Sequence, residues 1–203
     1  MNNNIIGVVL SGGKSSRMNF INKSFLKVNN ESFIQIIINT LSQRLDTIYI
    51  NANQDLEKYK KLNRPIILDY IKGFKGPLAG LHSIMKQFEN SKENLWFALV
   101  PTDAPFIPVK YLDNFIKKLP TTNMVMISKI NNKIEPMFSF WSIKTLSTIE
   151  KALLESDGVK IMKIAEELNY DILEFNSNNR LEFMNINTNE DYLKITELSG
   201  VSN

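Results

Sequence analysis

Apolar residues along this chain occur in short runs that stop at polar punctuation, alternating with stretches where they recur every three or four positions. Ile5 to Leu10 is a β-branched run closed by Ser11-Gly12-Gly13, the pattern of a buried strand feeding a tight loop. Between Ser32 and about Leu45, Phe33, Ile36, Ile37 and Leu41 repeat at helical spacing and predict a helix with one buried face. Thr47 to Ile50 and Ile66 to Leu68 read as strands that end at Asn51-Ala52-Asn53 and at Asp69, with a short polar helix between them. Pro77 suits the first turn of a helix running toward Phe88, and Leu95 to Val100 is a further buried strand ending at Pro101-Thr102-Asp103. Beyond Pro108 the pattern predicts a helix to about Leu119, a strand over Met124 to Ile127, and an alternating, antiparallel-type strand over Pro136 to Trp141. Helices over Ile143 to Leu154 and Ile161 to Leu168, short strands at Tyr170 to Phe175 and Met184 to Ile186, and a closing helix from Asn189 to Leu198 complete the reading.

Strand and helix alternate over roughly the first 120 residues, which predicts an α/β fold with a largely parallel sheet covered on both faces. Ligands of such sheets bind outside the carboxyl ends of the strands. Four polar marks converge there: the Ser11-Gly12-Gly13 loop, Asn51, Asp69 and Asp103.

Composition narrows the chemistry. The 203 residues are 43% hydrophobic and 22% charged, enough for one domain with a proper core. No cysteine is present and His82 is the single histidine, so disulfides, thiolate sites, a cysteine nucleophile and multi-histidine centres are excluded. The net charge of +3 is spread out, its densest cluster being Lys58, Lys60 and Lys61 on an expected exposed helix face. A nucleic-acid binder concentrates such charge into a stripe, so no nucleic-acid partner is expected. Met1-Asn2-Asn3-Asn4 does not read as a signal peptide, and no apolar run approaches the ~20 residues needed to span a bilayer. A cytoplasmic protein without a membrane partner is the expectation.

The first loop continues as Lys14-Ser15-Ser16-Arg17-Met18, with Lys23 shortly after. Paired glycines let backbone N–H groups face phosphate oxygens, and Arg17 and Lys23 add fixed positive charge. Neither a P-loop nor a dinucleotide fingerprint is present, and Leu-Ser-Gly-Gly serves transport ATPases only beside a P-loop. Asp103, after a buried strand and before Ala104-Pro105, suits Mg²⁺, which favours one or two carboxylates together with phosphate oxygens. A turn aspartate ahead of proline fits the same local sequence. Asp69 carries the same ambiguity, and two carboxylates at neighbouring strand ends beside the glycine loop favour a nucleotide site. Near the C-terminus, Thr188 or Asn187 is expected to cap the last helix, with Glu190 and Asp191 at its positive end. His82 reads as a surface or packing residue rather than a base, Met124 and Met126 as core, and Trp96 and Trp141 as sheet packing.

At this point the residues resemble a known family. Leu10-Ser11-Gly12-Gly13-Lys14-Ser15-Ser16-Arg17-Met18 is similar to the pyrophosphorylase signature L-x-G-G-x-S-x-R-M of the nucleotidyltransferase superfamily. With Lys23, Asn51-Ala52-Asn53, Asp69, Gly76-Pro77-Leu78-Ala79-Gly80, Pro101-Thr102-Asp103-Ala104-Pro105-Phe106 and Asn185-Ile186-Asn187-Thr188, the ordered set resembles the molybdenum cofactor guanylyltransferases. The resemblance implies a three-layer α-β-α, Rossmann-like nucleotidyltransferase fold with an antiparallel strand in the C-terminal half. It implies a single domain over 1–203, with a nucleotide-binding half to about 107 and an acceptor-binding half from about 108. The implied reaction joins GMP from GTP to the terminal phosphate of molybdenum-molybdopterin, with Mg²⁺ as cofactor and transient contacts to cofactor-delivery proteins. Guanine and ribose contacts are implied at Leu10, Ser11, Gly12, Asn51 and Asp69, and phosphate contacts at Gly13, Arg17 and Lys23. The metal ligand is implied at Asp103, and acceptor-side positions at Asn185 and Asn187. Asn19 and Asn22 depart from the Gly and Asp usual in the family pattern, which bears on how the loop is held.

The rival readings are a cytidylyltransferase for the same cofactor, a sugar-phosphate nucleotidyltransferase, and a non-catalytic GTP-binding assembly protein. Asp157-Gly158-Val159-Lys160 is read as a helix–helix turn in preference to a pterin contact.

Overall fold

A computed structural model of the chain describes residues 4–11, 22–73, 75–119, 121–156 and 158–200. In chain order the elements are β1 (Ile5–Leu10), β2 (Lys27–Val28), β3 (Glu31–Ser32), α1 (Phe33–Ser42), β4 (Ile48–Asn51), α2 (Leu56–Lys60), β5 (Ile66–Ile67) and α3 (Pro77–Met85). They continue with β6 (Trp96–Pro101), α4 (Lys110–Lys118), β7 (Val125–Ile130), β8 (Lys133–Ser142), α5 (Leu146–Glu155), α6 (Ile161–Glu167), β9 (Tyr170–Phe175) and α7 (Asn189–Gly200).

Seven strands form one sheet in the order β5-β4-β1-β6-β8-β7-β9. The pairs β4–β5, β1–β4, β1–β6 and β7–β9 are parallel, and β8 runs antiparallel to both β6 and β7. Side chains of β1 alternate between two cores, as the two-residue period of a strand requires. Ile5 and Val9 join Ile34, Ile37, Leu41, Tyr111 and Phe115 from α1 and α4 on one face. Ile6, Val8 and Leu10 join Leu78, Leu81, Ile149 and Ile164 from α3, α5 and α6 on the other. A mostly parallel sheet between two helical layers is therefore the expected three-layer fold, and its antiparallel strand lies in the C-terminal half.

Local expectations are corrected at several points. The alternating strand begins at Lys133 rather than Pro136, because Asn131 and Asn132 both take left-handed backbone (φ 46° and 68°) and close a two-residue hairpin to β7. The β2–β3 hairpin, closed in the same way by Asn29 and Asn30 (φ 51° and 66°), was not predicted. Met184 to Ile186 is not a strand. Phe183 has φ 61°, and the segment makes single bonds to the rim, Phe183 N–H to the Phe106 carbonyl (3.0 Å) and Ile186 N–H to the Asp103 carbonyl (2.7 Å), in place of a ladder. Met126 is core as expected, whereas Met124 precedes β7 and is half-buried. Among the described residues no helix is long and apolar enough to cross a membrane.

Candidate active site

The carboxyl ends of β5, β4, β1 and β6 make a rim on which Asp69, Asn51, Ser11 and Asp103 follow one another. Ladder bonds continue past the strands and fix their heights: Ser11 N–H donates to the Asn51 carbonyl (2.8 Å), and Thr102 N–H to the Leu10 carbonyl (3.2 Å). One expectation changes here. Asp69 and Asp103 follow β5 and β6, which are separated by β4 and β1, so their carboxylates do not stand at neighbouring strand ends. Three strand spacings separate those strands by about 14 Å. The two carboxylates therefore follow strands at opposite ends of this part of the rim.

At the Asp69 end the polar groups are interlocked. Asn51 Nδ2 donates to the Ile67 carbonyl (3.0 Å) and to Asp69 Oδ1 (2.9 Å), while Asn53 Nδ2 donates to Asp69 Oδ2 (2.9 Å). Asn53 Oδ1 in turn accepts from Asp69 N–H (2.9 Å). On the next residue, Tyr70 N–H donates to the buried Ser83 Oγ of α3 (2.7 Å). Asp69 is thus held from β4, and the backbone that follows it from α3. Each carboxylate oxygen retains a lone pair for a ligand.

At the Asp103 end, Lys23 lies in a short 3-10 turn, Lys23–Phe25, capped by the Asn22 side chain, which accepts from Ser24 N–H (3.2 Å). Lys23 Nζ donates to the Ile186 carbonyl (2.8 Å) and to Asn187 Oδ1 (3.0 Å), leaving one of its three N–H bonds uncommitted by these contacts. The Ile186 N–H is bonded to the Asp103 carbonyl, so one peptide segment joins Lys23 to Asp103. Burial raises the half-buried Asp103 carboxyl above the usual carboxylate range. The charge of Lys23 pulls it back, and Glu135 adds to the rise. Among the described residues no side chain forms an ion pair with Asp103, and no three acidic or histidine side chains cluster as a metal cage.

Beside this end lies a packed set of hydroxyls. Ser11 Oγ contacts both Ser24 Oγ and Tyr59 OH, Tyr59 OH donates to Ser24 Oγ (3.3 Å), and Ser24 Oγ donates to Thr102 Oγ1 (3.1 Å). Asn22 Nδ2 donates to Tyr59 OH (2.9 Å) and to Asp55 Oδ2 (3.0 Å). Asn22 thereby ties the Lys23 turn to α2 without a carboxylate of its own, opposite an acid that would repel one.

Of the residues singled out from sequence, Leu10, Ser11, Lys23, Asn51, Asp69, Asp103, Asn185 and Asn187 fall on this rim or on the segment crossing it. Gly12, Gly13, Arg17 and Asn19 lie outside the described residues, as does Asp157. The expected cap is formed by Thr188, whose Oγ1 accepts from Asp191 N–H (3.1 Å) while Asp191 Oδ2 accepts from Thr188 N–H (2.9 Å). That frees Asn187 for Lys23. His82 is fully buried on α3, with Glu150 Oε1 3.3 Å from its Nε2, and burial pulls its imidazole below the usual range. Sequence reasoning missed Ser24, Tyr59 and Thr102. The one available signal was an aromatic residue between Lys58 and Lys60 on an otherwise charged helix.

With this rim in view, the comparisons with known proteins are decisive. A family model described as MobA-like NTP transferase domain matches residues 7–170. The chain belongs to this family. The match begins in β1 and ends at the start of β9, so it takes in the whole rim except the segment that carries Ile186 and Asn187. Among curated members, the chain is 29% identical over 184 residues to a molybdenum cofactor guanylyltransferase of Vibrio atlanticus, covering 91% of each protein. It is 31% identical over 191 residues to a probable molybdenum cofactor guanylyltransferase of Clostridium perfringens, covering 91% of this chain and 92% of the relative. The crystal structure of molybdopterin-guanine dinucleotide biosynthesis protein A from Archaeoglobus fulgidus superposes with a TM-score of 0.75 at 20% identity, over 96% of this chain and 98% of that one. That likeness is one of fold. The chain is a nucleotidyltransferase of this family.

Proposed function

We propose that the enzyme transfers GMP from GTP to the terminal phosphate of molybdenum-molybdopterin, yielding the guanine dinucleotide form and pyrophosphate, with Mg²⁺ as cofactor and in the cytoplasm. Relatives bearing the guanylyltransferase name align over nine-tenths of the chain, which supports this acceptor and this nucleotide. The observation that carries the reading is the tethering of Lys23 and Asp103 to a single peptide segment, Lys23 through the Ile186 carbonyl and Asp103 through the Ile186 N–H.

A phosphate nucleophile is already anionic near neutral pH, so its attack on the α-phosphorus of GTP needs no general base. The burial of His82 on α3, beside Glu150, is consistent with that. What the reaction needs is alignment of two anions that repel each other, and compensation of charge as it moves to the leaving pyrophosphate. Asn51 and Asp69 hold the nucleoside end of GTP, and Leu10 and Ser11 floor the pocket. Lys23 meets the phosphates with its uncommitted N–H, and Gly13 and Arg17 supply further phosphate contacts. Asn187 orients the Lys23 ammonium, and Asn185 precedes the same tethering peptide on the acceptor side.

Asp103 would hold the Mg²⁺. Its carboxyl is half-buried, raised by that burial and free of an ion pair among the described residues, a state that a divalent cation relieves. When bound, the ion supplies charge compensation at the α-phosphate.

The test is pyrophosphate release with GTP, CTP, UTP and ATP in the presence of the acceptor, with and without Mg²⁺, alongside the melting-temperature shift each triphosphate produces. GTP with Mg²⁺ is expected to give both the largest shift and the turnover. A preference for CTP would replace this reading with the cytidylyl version. GTP affinity without turnover on the acceptor would replace it with a binding protein.

A further inference from the structure

The hydroxyl set beneath the rim is not accounted for by packing alone. Tyr59 is completely buried on a five-residue helix whose neighbouring residues, Lys58 and Lys60, are exposed, and its OH makes three polar contacts. It accepts from Asn22 Nδ2, contacts Ser11 Oγ and donates to Ser24 Oγ, which passes the chain on to Thr102 Oγ1. The proton count closes. With the Tyr59 proton on Ser24 and the Ser24 proton on Thr102, the Ser11 proton has either oxygen as acceptor, and no buried hydroxyl here is left without a partner.

What this network joins matters more than its size. Asn22 and Ser24 flank Lys23, Thr102 immediately precedes Asp103, and Ser11 directly follows β1 and precedes Gly12 in sequence. Two of these pieces meet at the Tyr59 phenol, and the third, Thr102, joins them through Ser24. A second route between Lys23 and Asp103 runs above it, through the Ile186 peptide. Two routes fix the relative placement of the backbone at Lys23 and at Asp103, from which the ammonium and the carboxylate project, where a single tether leaves the two segments free to swing.

We propose that Tyr59 is a positioning residue, setting Lys23 in register with Asp103 for transfer at the α-phosphate through the Ser11-Ser24-Thr102 hydroxyls without touching either substrate. This inference rests on the nucleotidyltransfer reading above. It makes a specific kinetic claim: GTP binding draws on each group singly and changes little, whereas turnover depends on their joint alignment and falls.

The test is Tyr59→Phe, which keeps the ring contact with Phe25 (centroids 4.7 Å apart) and removes the oxygen alone. The full chain is assayed with GTP, Mg²⁺ and the pterin acceptor, and GTP affinity is measured by calorimetry well below the melting temperature. The expected result is a kcat lower by about tenfold or more, with the GTP Kd within about threefold of wild type. Ser24→Ala, which breaks the same chain one link on, is expected to show the same split, and combining the two is expected to add little. It also decides the matter if Tyr59→Phe does not fold. Unchanged kcat in a folded variant overturns the proposal, as does a loss of affinity and turnover together in step with stability. A wild-type chain that transfers no nucleotide overturns the parent reading and this one with it, whereas an active wild type with an indifferent variant overturns this one alone.

Discussion

A methyl group on Gly80 would lie 2.3 Å from Asn51 Oδ1 and 2.7 Å from Asn51 Cγ, so the asparagine that braces Asp69 lies flat against helix α3 because residue 80 has no side chain. Leu10 Cδ2, also 2.7 Å from that position, closes the other side. The requirement is one of space and not of backbone conformation, since Gly80 is an ordinary helical residue. Gly80→Ala is expected to push the Asn51 amide off Asp69, raise the GTP KM by about tenfold or more, which corresponds to about 1.4 kcal/mol of lost binding, and change kcat less. Overpacking of this kind costs about 1–3 kcal/mol of stability, so steady-state kinetics and thermal melts recorded together separate the two effects. A KM within twofold of wild type would show that Asn51 does not serve the nucleotide.

Asp103 poses the opposite relation between stability and activity. Burial raises its folded-state pKa, so the folded chain holds the proton more tightly than the unfolded one, and stability falls as pH rises through that range. Near neutrality the charged carboxylate therefore works against the fold. Asp103→Asn is expected to raise the melting temperature in metal-free buffer while lowering turnover by on the order of a thousandfold. A variant that is active with Mg²⁺ present would remove Asp103 from the chemistry.

His82 gives the fold an acid-sensitive point. Burial depresses its folded-state pKa below 6.5, although Glu150 and Glu89 pull the other way and Lys86 adds to the depression. With the unfolded chain binding the proton more readily, stability from this residue is fully present above about pH 6.5 and is lost as pH falls toward the folded-state value. Melting curves between about pH 7 and pH 5 are expected to show a steeper decline for the wild type than for His82→Leu. Parallel curves for the two proteins would assign the acid sensitivity elsewhere.

The parts of this protein that were legible in its sequence are those governed by local chemistry. Apolar runs such as Ile5 to Leu10 announced buried strands, helical spacing from Phe33 to Leu41 announced α1, and Asn187-Thr188 announced a cap that Thr188 forms. The same logic placed Asp69, Asn51 and Asp103 at strand ends, because a parallel sheet puts its polar punctuation on one rim. Left-handed asparagine pairs were the overlooked local signal, since Asn131-Asn132 and Asn29-Asn30 turn the chain as Asn-Gly would.

What the tertiary structure alone decided is which remote residues meet. Strand order is a property of pairing across the sheet and not of any one run, so nothing local says that β4 and β1 separate the strands before Asp69 and Asp103. Asn187 reaches Lys23 across 164 positions, and Ser24 reaches Thr102 across 78, contacts that hydrophobic periodicity cannot encode. Tyr59 sits among lysines on a helix that reads as solvated, and only its burial beneath the rim brings its hydroxyl to both Ser11 and the turn that carries Lys23. Composition and spacing thus determined the scaffold and the kinds of groups on its rim. Their partnerships depend on chain crossings that only the folded state makes.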